Sequence, residues 1–288
     1  MLVNVSEMEN LTESEYEKYI TINGMKIRYL MRGVGSRILL LHGFGEFLES
    51  WDLNIRPLSE HYQVCTMDLP GHGLSDKPDV AYNLFFFTKF ITNFMQALGI
   101  EHASLIGHSM GGHISLSVAI NFPEKVDKLV LETSGGLSND VSLLRKACSI
   151  PVLVGADTKE SMGKVALEQR IKREFYNPDF VAKEIADMSY RFTQMPEAKR
   201  VTLSILHHAV TPDGLRPEVV MNDRLHLVES PTLLIHGAQD EIHPLELSQN
   251  ACCLIPNARL KVIDECGHYP HIEKAAEFNE AVIAFLKG

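Results

Sequence analysis

Residues 103–121 read ASLIGHSMGGHISLSVAIN. Ala103–Ile106 is a short apolar run, Gly107-His108-Ser109-Met110-Gly111-Gly112 a glycine-rich turn, and His113–Asn121 a stretch of helical character. This is G-x-S-x-G between a strand and a helix. A nucleophilic serine needs that layout, because its hydroxyl must stand exposed on a tight turn. Glycines two residues to either side let the backbone pass without a Cβ clash. Ser109 then opens a helix. A glycine-rich turn without catalysis is the other reading of the same residues.

Working outward, β-branched or leucine-rich runs that end at turn signals recur at Arg37–Leu41, Gln63–Asp68, Lys128–Glu132, Thr232–Ile235 and Leu260–Ile263. Helical stretches lie between them, as at Leu84–Leu98 and Ala275–Leu286. The alternation predicts an α/β fold with a mostly parallel sheet covered on both faces. Ahead of it, Tyr19–Ile22 and Lys26–Met31 flank Asn23-Gly24, a hairpin signal. From about Ser134 to Leu227 the segments read as helix after helix, with no strand between them. Residues 1–133 and 228–288 are therefore expected to form the core, and 134–227 an inserted helical cap. In the cap, Asn177-Pro178 reads as a helix start, and Val181, Ile185, Met188 and Phe192 form an apolar stripe.

The chain has 288 residues, 45% of them hydrophobic, so it can bury a sizeable core. Its net charge of −10 disfavours nucleic acid as a partner. The five cysteines, Cys65, Cys148, Cys252, Cys253 and Cys266, lack C-x-x-C spacing, which argues against a disulfide framework or a zinc ribbon. The first twenty residues are acidic and without an apolar segment, and no run approaches a membrane span. A cytoplasmic protein with a small-molecule substrate and no membrane partner is expected, with a homodimer left open.

A serine nucleophile needs a base held by a third group. Asp240 follows the run Thr232–Ile235 within HGAQD, and His268 follows Leu260–Ile263 within DECGH. The order Ser109, Asp240, His268 is that of hydrolases built on this turn. Glu132 and Glu241 are rival acids, and His271 is a rival base. Acyl transfer also needs oxyanion donors, expected at the backbone N–H groups of Met110 and of Phe44 in His42-Gly43-Phe44-Gly45. Asp68–Asp76, DLPGHGLSD, reads as a structural turn. No carboxylate or cysteine stands at zinc spacing from His268-x-x-His271, so no metal is expected.

These residues together resemble the α/β-hydrolase fold family, over nearly the whole chain from Tyr19 to Lys287. The motifs are HGFGE at His42–Glu46, DLPGHGLSD, GHSMGG, GAQD at Gly237–Asp240 and CGHYPHIEKA at Cys266–Ala275. The resemblance implies an eight-stranded, mostly parallel sheet, a cap after the sixth strand, and a Ser-His-Asp mechanism without cofactors. Serine at 109 disfavours the dehalogenase and epoxide-hydrolase branches, which need a carboxylate nucleophile. Within the family, Ser134-Gly135-Gly136-Leu137 and the closing stretch look like the meta-cleavage-product hydrolases, which cut carbon–carbon bonds. Those enzymes usually have HGxGPG where this chain has HGFGEF, asparagine where it has His108, and tryptophan where it has Tyr269. The cap arginine they carry is matched here to Arg191, and Arg191 and Tyr269 are the expected substrate-binding residues. The departures put a carboxylesterase ahead of a C–C hydrolase, and a non-catalytic small-molecule receptor on the same fold is a third expectation.

Overall fold

The structure is a computed structural model that describes residues 18–137, 163–180, 183–211 and 214–288. Strands β1 (Lys18–Ile22), β2 (Met25–Arg32) and β3 (Arg37–Leu41) lead into helix α1 (Asp52–Ser59) and β4 (Gln63–Met67). Helix α2 (Leu84–Ala97), β5 (Ala103–His108), α3 (Met110–Asn121) and β6 (Val126–Glu132) follow. Then come α4 (Lys164–Lys172), α5 (Lys183–Thr193), α6 (Ala198–Ala209) and a ribbon of β7 (Val210–Thr211) with β8 (Gly214–Leu215). The chain closes with β9 (Thr232–Gly237), α7 (Leu245–Leu254), β10 (Ala258–Ile263), α8 (Pro270–Glu273) and α9 (Ala275–Lys287).

Eight strands form one sheet in the order β1-β2-β4-β3-β5-β6-β9-β10. Neighbours from β4 to β10 run parallel, and β2 runs antiparallel to both β1 and β4. The expected hairpin is present, with Asn23 and Gly24 at φ of 51° and 80°, the paired positive values that a two-residue turn matched to strand twist requires. Alternation along the strands divides the core. Leu39, Leu41, Leu105, Leu129 and Leu131 point to the side covered by α2 and α3. Ile38, Leu40, Ile106 and Val130 meet Trp51 and Ile55 on the other side, with Phe278 of α9. Because both faces are covered, these strands read as continuous apolar runs.

Between β6 and β9 the described residues are mainly helical, as expected, though 138–162 and Val181 of the apolar stripe lie outside them. The expectation of a strandless segment is corrected by the β7–β8 ribbon, whose strands of two residues leave no periodic signal. Asn177-Pro178 opens a 3₁₀ turn, Pro178–Phe180, with Asn177 Oδ1 accepting from Asp179 N (3.0 Å); residues 181–182, between it and α5, lie outside the described residues. Among the described residues no helix is long and apolar enough to cross a membrane.

Two carboxylates latch the helical segment onto the loop after β10. The Glu174 carbonyl accepts from His268 N (2.9 Å) and its carboxylate from the Tyr269 hydroxyl (2.8 Å). The Tyr269 ring stacks on Phe175 with centroids 4.6 Å apart. The buried Glu273 carboxylate accepts from Gly267 N at one oxygen, and from Tyr176 N and Asn177 N at the other. Truncating it would strand backbone donors in a dry site. Glu273→Ala is expected to cost about 2–4 kcal/mol, read as a lower urea midpoint; an unchanged midpoint would show the latch to be dispensable.

Candidate active site

Strand register collects the chemically competent residues at one edge of the sheet. Leu41 pairs with Gly107, His108 with Glu132, Glu132 with Ile235, and Gly237 with Ile263. The carboxyl ends of β3, β5, β6, β9 and β10 are thus level, which is where open α/β sheets place their ligand sites.

Ser109 follows the last residue of β5 and precedes the first of α3, at φ 51° and ψ −111°. A side chain is strained there, so neighbours must hold it. Ser109 N donates to the Glu132 carbonyl (2.9 Å), and the Ser109 carbonyl accepts from Gly135 N (3.0 Å) and His113 N (3.1 Å). A Cβ at Gly107 would strike the Gly111 backbone, and one at Gly111 the Leu41 carbonyl. The glycines flanking the serine are therefore demanded by close approach. Met110 opens α3, so its N–H is among the first-turn donors for which a helix has no internal acceptor.

His268 is fixed at every polar atom of its backbone. Its N–H goes to Glu174, and its carbonyl accepts from the Thr133 hydroxyl (3.1 Å) and from His108 Nε2 (2.9 Å). Its Nδ1 lies 2.8 Å from Asp240 Oδ2, and both side chains are buried. Asp240 Oδ1 accepts from Ile242 N (2.7 Å) and His243 N (2.9 Å). Burial opposes charge on Asp240, but the facing His268 imidazole, with His243 and His236 beyond it, holds the carboxyl well below the usual carboxylate range. An ionised carboxylate only accepts, so His268 Nδ1 is the donor in this contact, and in the neutral ring that leaves the lone pair on Nε2. His243, absent from the sequence reading, sits edge-on to His268 at 5.0 Å and bonds the Thr133 carbonyl through Nδ1 (2.7 Å). Burial, with repulsion from the His268 ring when that is protonated, lowers its pKa to about 4.

The rival residues form a pair of their own. Glu132 Oε1 accepts from both the N–H and the Nδ1 of His271, at 2.7 and 2.8 Å, in a fully buried contact against Trp51. Glu241 is exposed. Asp240, not Glu132, is the acid that meets His268.

The loop after β3 is anchored by His42, whose Nδ1 donates to the Gly43 carbonyl (2.8 Å) while Nε2 accepts from Leu69 N (3.0 Å). The loop after β4 is structural, as read. Asp68 accepts from Leu48 N, Leu74 N and Arg28, and Arg28 also pairs with Glu49. Phe44 is partly buried, its ring edge-on to His72 at 6.5 Å. Tyr269 is packed between Phe175 and His108, its hydroxyl engaged by Glu174. Arg191 is exposed in the last turn of α5; its neighbour Phe192 reaches the core, 4.9 Å from Phe47. No carboxylate or cysteine stands at zinc spacing from His268-x-x-His271 in sequence, yet Glu46 comes close to His271, and to His108, in space. Glu46, His108 and His271 bring donor atoms within 4.8 Å of one another. The unexpected contact within this group is Glu46 Oε1 to His108 Nδ1, at 2.9 Å.

The chain is similar to known proteins over most of its length. A family model described as alpha/beta hydrolase fold matches residues 36–150 and 161–275. The 2-hydroxy-6-oxo-6-phenylhexa-2,4-dienoate hydrolase of Comamonas testosteroni is 30% identical, over 97% of this chain and 99% of its own length. The 2-hydroxy-6-oxo-6-(2'-aminophenyl)hexa-2,4-dienoic acid hydrolase of Metapseudomonas resinovorans is 28% identical, over 99% and 96%. The solved meta-cleavage product hydrolase of Pseudomonas fluorescens IP01 superposes with a TM-score of 0.82 at 27% identity, covering 95% of this chain and 98% of that one. By the family model and by near-full-length likeness in sequence and fold, the chain belongs to the α/β-hydrolase fold family and is a hydrolase.

Proposed function

We propose that this chain hydrolyses a carbon–carbon bond in a vinylogous 1,5-diketone of the 2-hydroxy-6-oxo-dienoate type, using Ser109, His268 and Asp240. The observation that carries the reading is the near-full-length likeness, in sequence and in fold, to hydrolases of that substrate class. It outweighs the motif departures that put ester cleavage first from sequence.

In the proposed reaction the dienol first becomes its keto tautomer, which leaves a ketone beside a saturated carbon. Ser109 Oγ adds to that ketone while His268 Nε2 takes its proton, and the N–H groups of Met110 and Phe44 receive the oxyanion. Collapse breaks the bond to the saturated carbon. The departing electron pair delocalises into the conjugated keto acid, and His268 returns the proton. Water, activated by the same imidazole, then releases the acyl group as a carboxylic acid. Asp240 keeps His268 in the tautomer that both steps need. The delocalised anion calls for a cation, and Arg191 at the end of α5 is our candidate. Its exposed position is also what keeps simple ester hydrolysis as a second reading, since that reaction needs no cation there.

A diketone of this class and a graded series of p-nitrophenyl esters, assayed side by side, decide between them. We expect kcat/KM for the diketone at least about a hundredfold above any ester; the reverse ratio would establish the esterase. Arg191→Ala should abolish dienol cleavage yet change kcat on a short ester less than about fivefold. Ser109→Ala should lower kcat by about 10³ or more, and Asp240→Asn by about 10⁴, against under about tenfold for Glu132→Gln. A larger loss from Glu132→Gln than from Asp240→Asn would reassign the acid.

A further inference from the structure

Two of the positions at which this chain departs from the meta-cleavage hydrolase motifs touch each other. Glu46 stands in HGFGE, and His108 precedes the serine in GHSMGG. Their contact of 2.9 Å is buried, with side-chain exposures of 10% and 0%. It is short enough for an ion pair although not aligned as a hydrogen bond. The other ring nitrogen of His108, Nε2, lies 2.9 Å from the His268 carbonyl, which can only accept. One nitrogen of His108 thus faces a carbonyl and the other a carboxylate, an environment that fits a ring protonated at both. Glu46 leaves the β3 loop that carries Phe44, His108 adjoins Ser109, and the His268 carbonyl belongs to the loop that carries the base.

We infer that Glu46 and His108 are a positioning pair, an imidazolium–carboxylate bridge that sets the spacing of the oxyanion loop, the serine turn and the base loop. The inference rests on the roles proposed above for Ser109, His268 and Phe44. The pair touches no substrate; it acts through the backbones it joins. Burial works against charge on His108, but the Glu46 carboxylate, with Glu132 and the His268 carbonyl, pushes its pKa up to about 9. The groups facing it are Glu46 and His42 from the β3 loop, Glu132 from β6, and His268, Tyr269 and His271 from the base loop. The bridge is therefore complete at neutral pH and lost as pH rises through about 9.

The test compares wild type, Glu46→Gln, His108→Asn and the double variant, on whichever substrate the wild type turns over. Failure of the triad reading shows first and separately, as turnover that survives in Ser109→Ala. Provided turnover depends on Ser109, each single variant is expected to lower kcat about 10- to 100-fold with KM within about threefold, since sub-ångström misplacement acts on the reaction step. His108→Asn leaves a buried carboxylate without its cation, so the double variant should be no worse than His108→Asn, a non-additivity expected only of coupled groups. Wild-type kcat should fall above about pH 9, and that limb should vanish in the double variant. Single variants with wild-type kcat, additive losses, or an alkaline limb that persists without His108 would each overturn the pair. Should the single variants not fold, the wild-type pH profile and ring ¹⁵N spectra still decide. A buried imidazolium titrating near pH 9 is expected, and a spectrum with every buried histidine neutral at pH 7.5 would refute it.

Discussion

The carboxyl edge of the sheet is organised around one non-glycine residue held at positive φ. Ser109 is locked there by the Glu132 carbonyl on one side and by Gly135 and His113 on the other. Its turn is tight enough that Gly107 and Gly111 have no room for a side chain. The strain is sustained because β5 is central and buried along its whole length, so the chain cannot relax the turn without unpairing β3 and β6. Once the turn is fixed, α3 must leave the edge with its N-terminus beside the serine. That geometry makes the N–H of Met110 available for the oxyanion role proposed for it.

The proposed base is held with comparable completeness. His268 has its N–H on Glu174, its carbonyl on Thr133 and His108, and its ring on Asp240. These partners come from the helical segment, the exit of β6, the serine turn and the loop after β9. A shift of the helices is therefore felt at the imidazole through Glu174, and a shift of the oxyanion loop through Glu46 and His108. The parallel pair of Glu132 with His271 is deeper in the core and lies against Trp51, where it joins β6 to α8.

How much of this is legible in the sequence depends on whether a contact is local. Gly107–Gly112 carries its own meaning, since strand, turn and helix are adjacent in the chain. Asp240 and His268 are legible because each follows a strand whose end the register makes level with Ser109. The same reasoning leaves Glu132 and His271 as rivals, because Glu132 ends a strand and His271 stands close behind His268 in the chain; separating the pairs takes three-dimensional contact. Glu46 with His108 is invisible for that reason, being made of a loop residue and a strand-end residue with no shared spacing. The latch at Glu174 and Glu273 is hidden too, because most of its acceptors serve backbone N–H groups that any residue offers. In the helical segment, Ile185 packs against the cluster of Leu167 and Phe175, and Phe192 against Phe47, from a stripe whose periodicity indicates a buried face but not what it meets.

The account stands on Ser109 as the nucleophile, and covalent labelling tests that most directly. A fluorophosphonate incubated with the native protein is expected to add once per chain, with digestion placing the adduct on Ser109 in the peptide that contains GHSMGG, and with Asp240→Asn slowing the reaction. No adduct, or one on another residue, would contradict it.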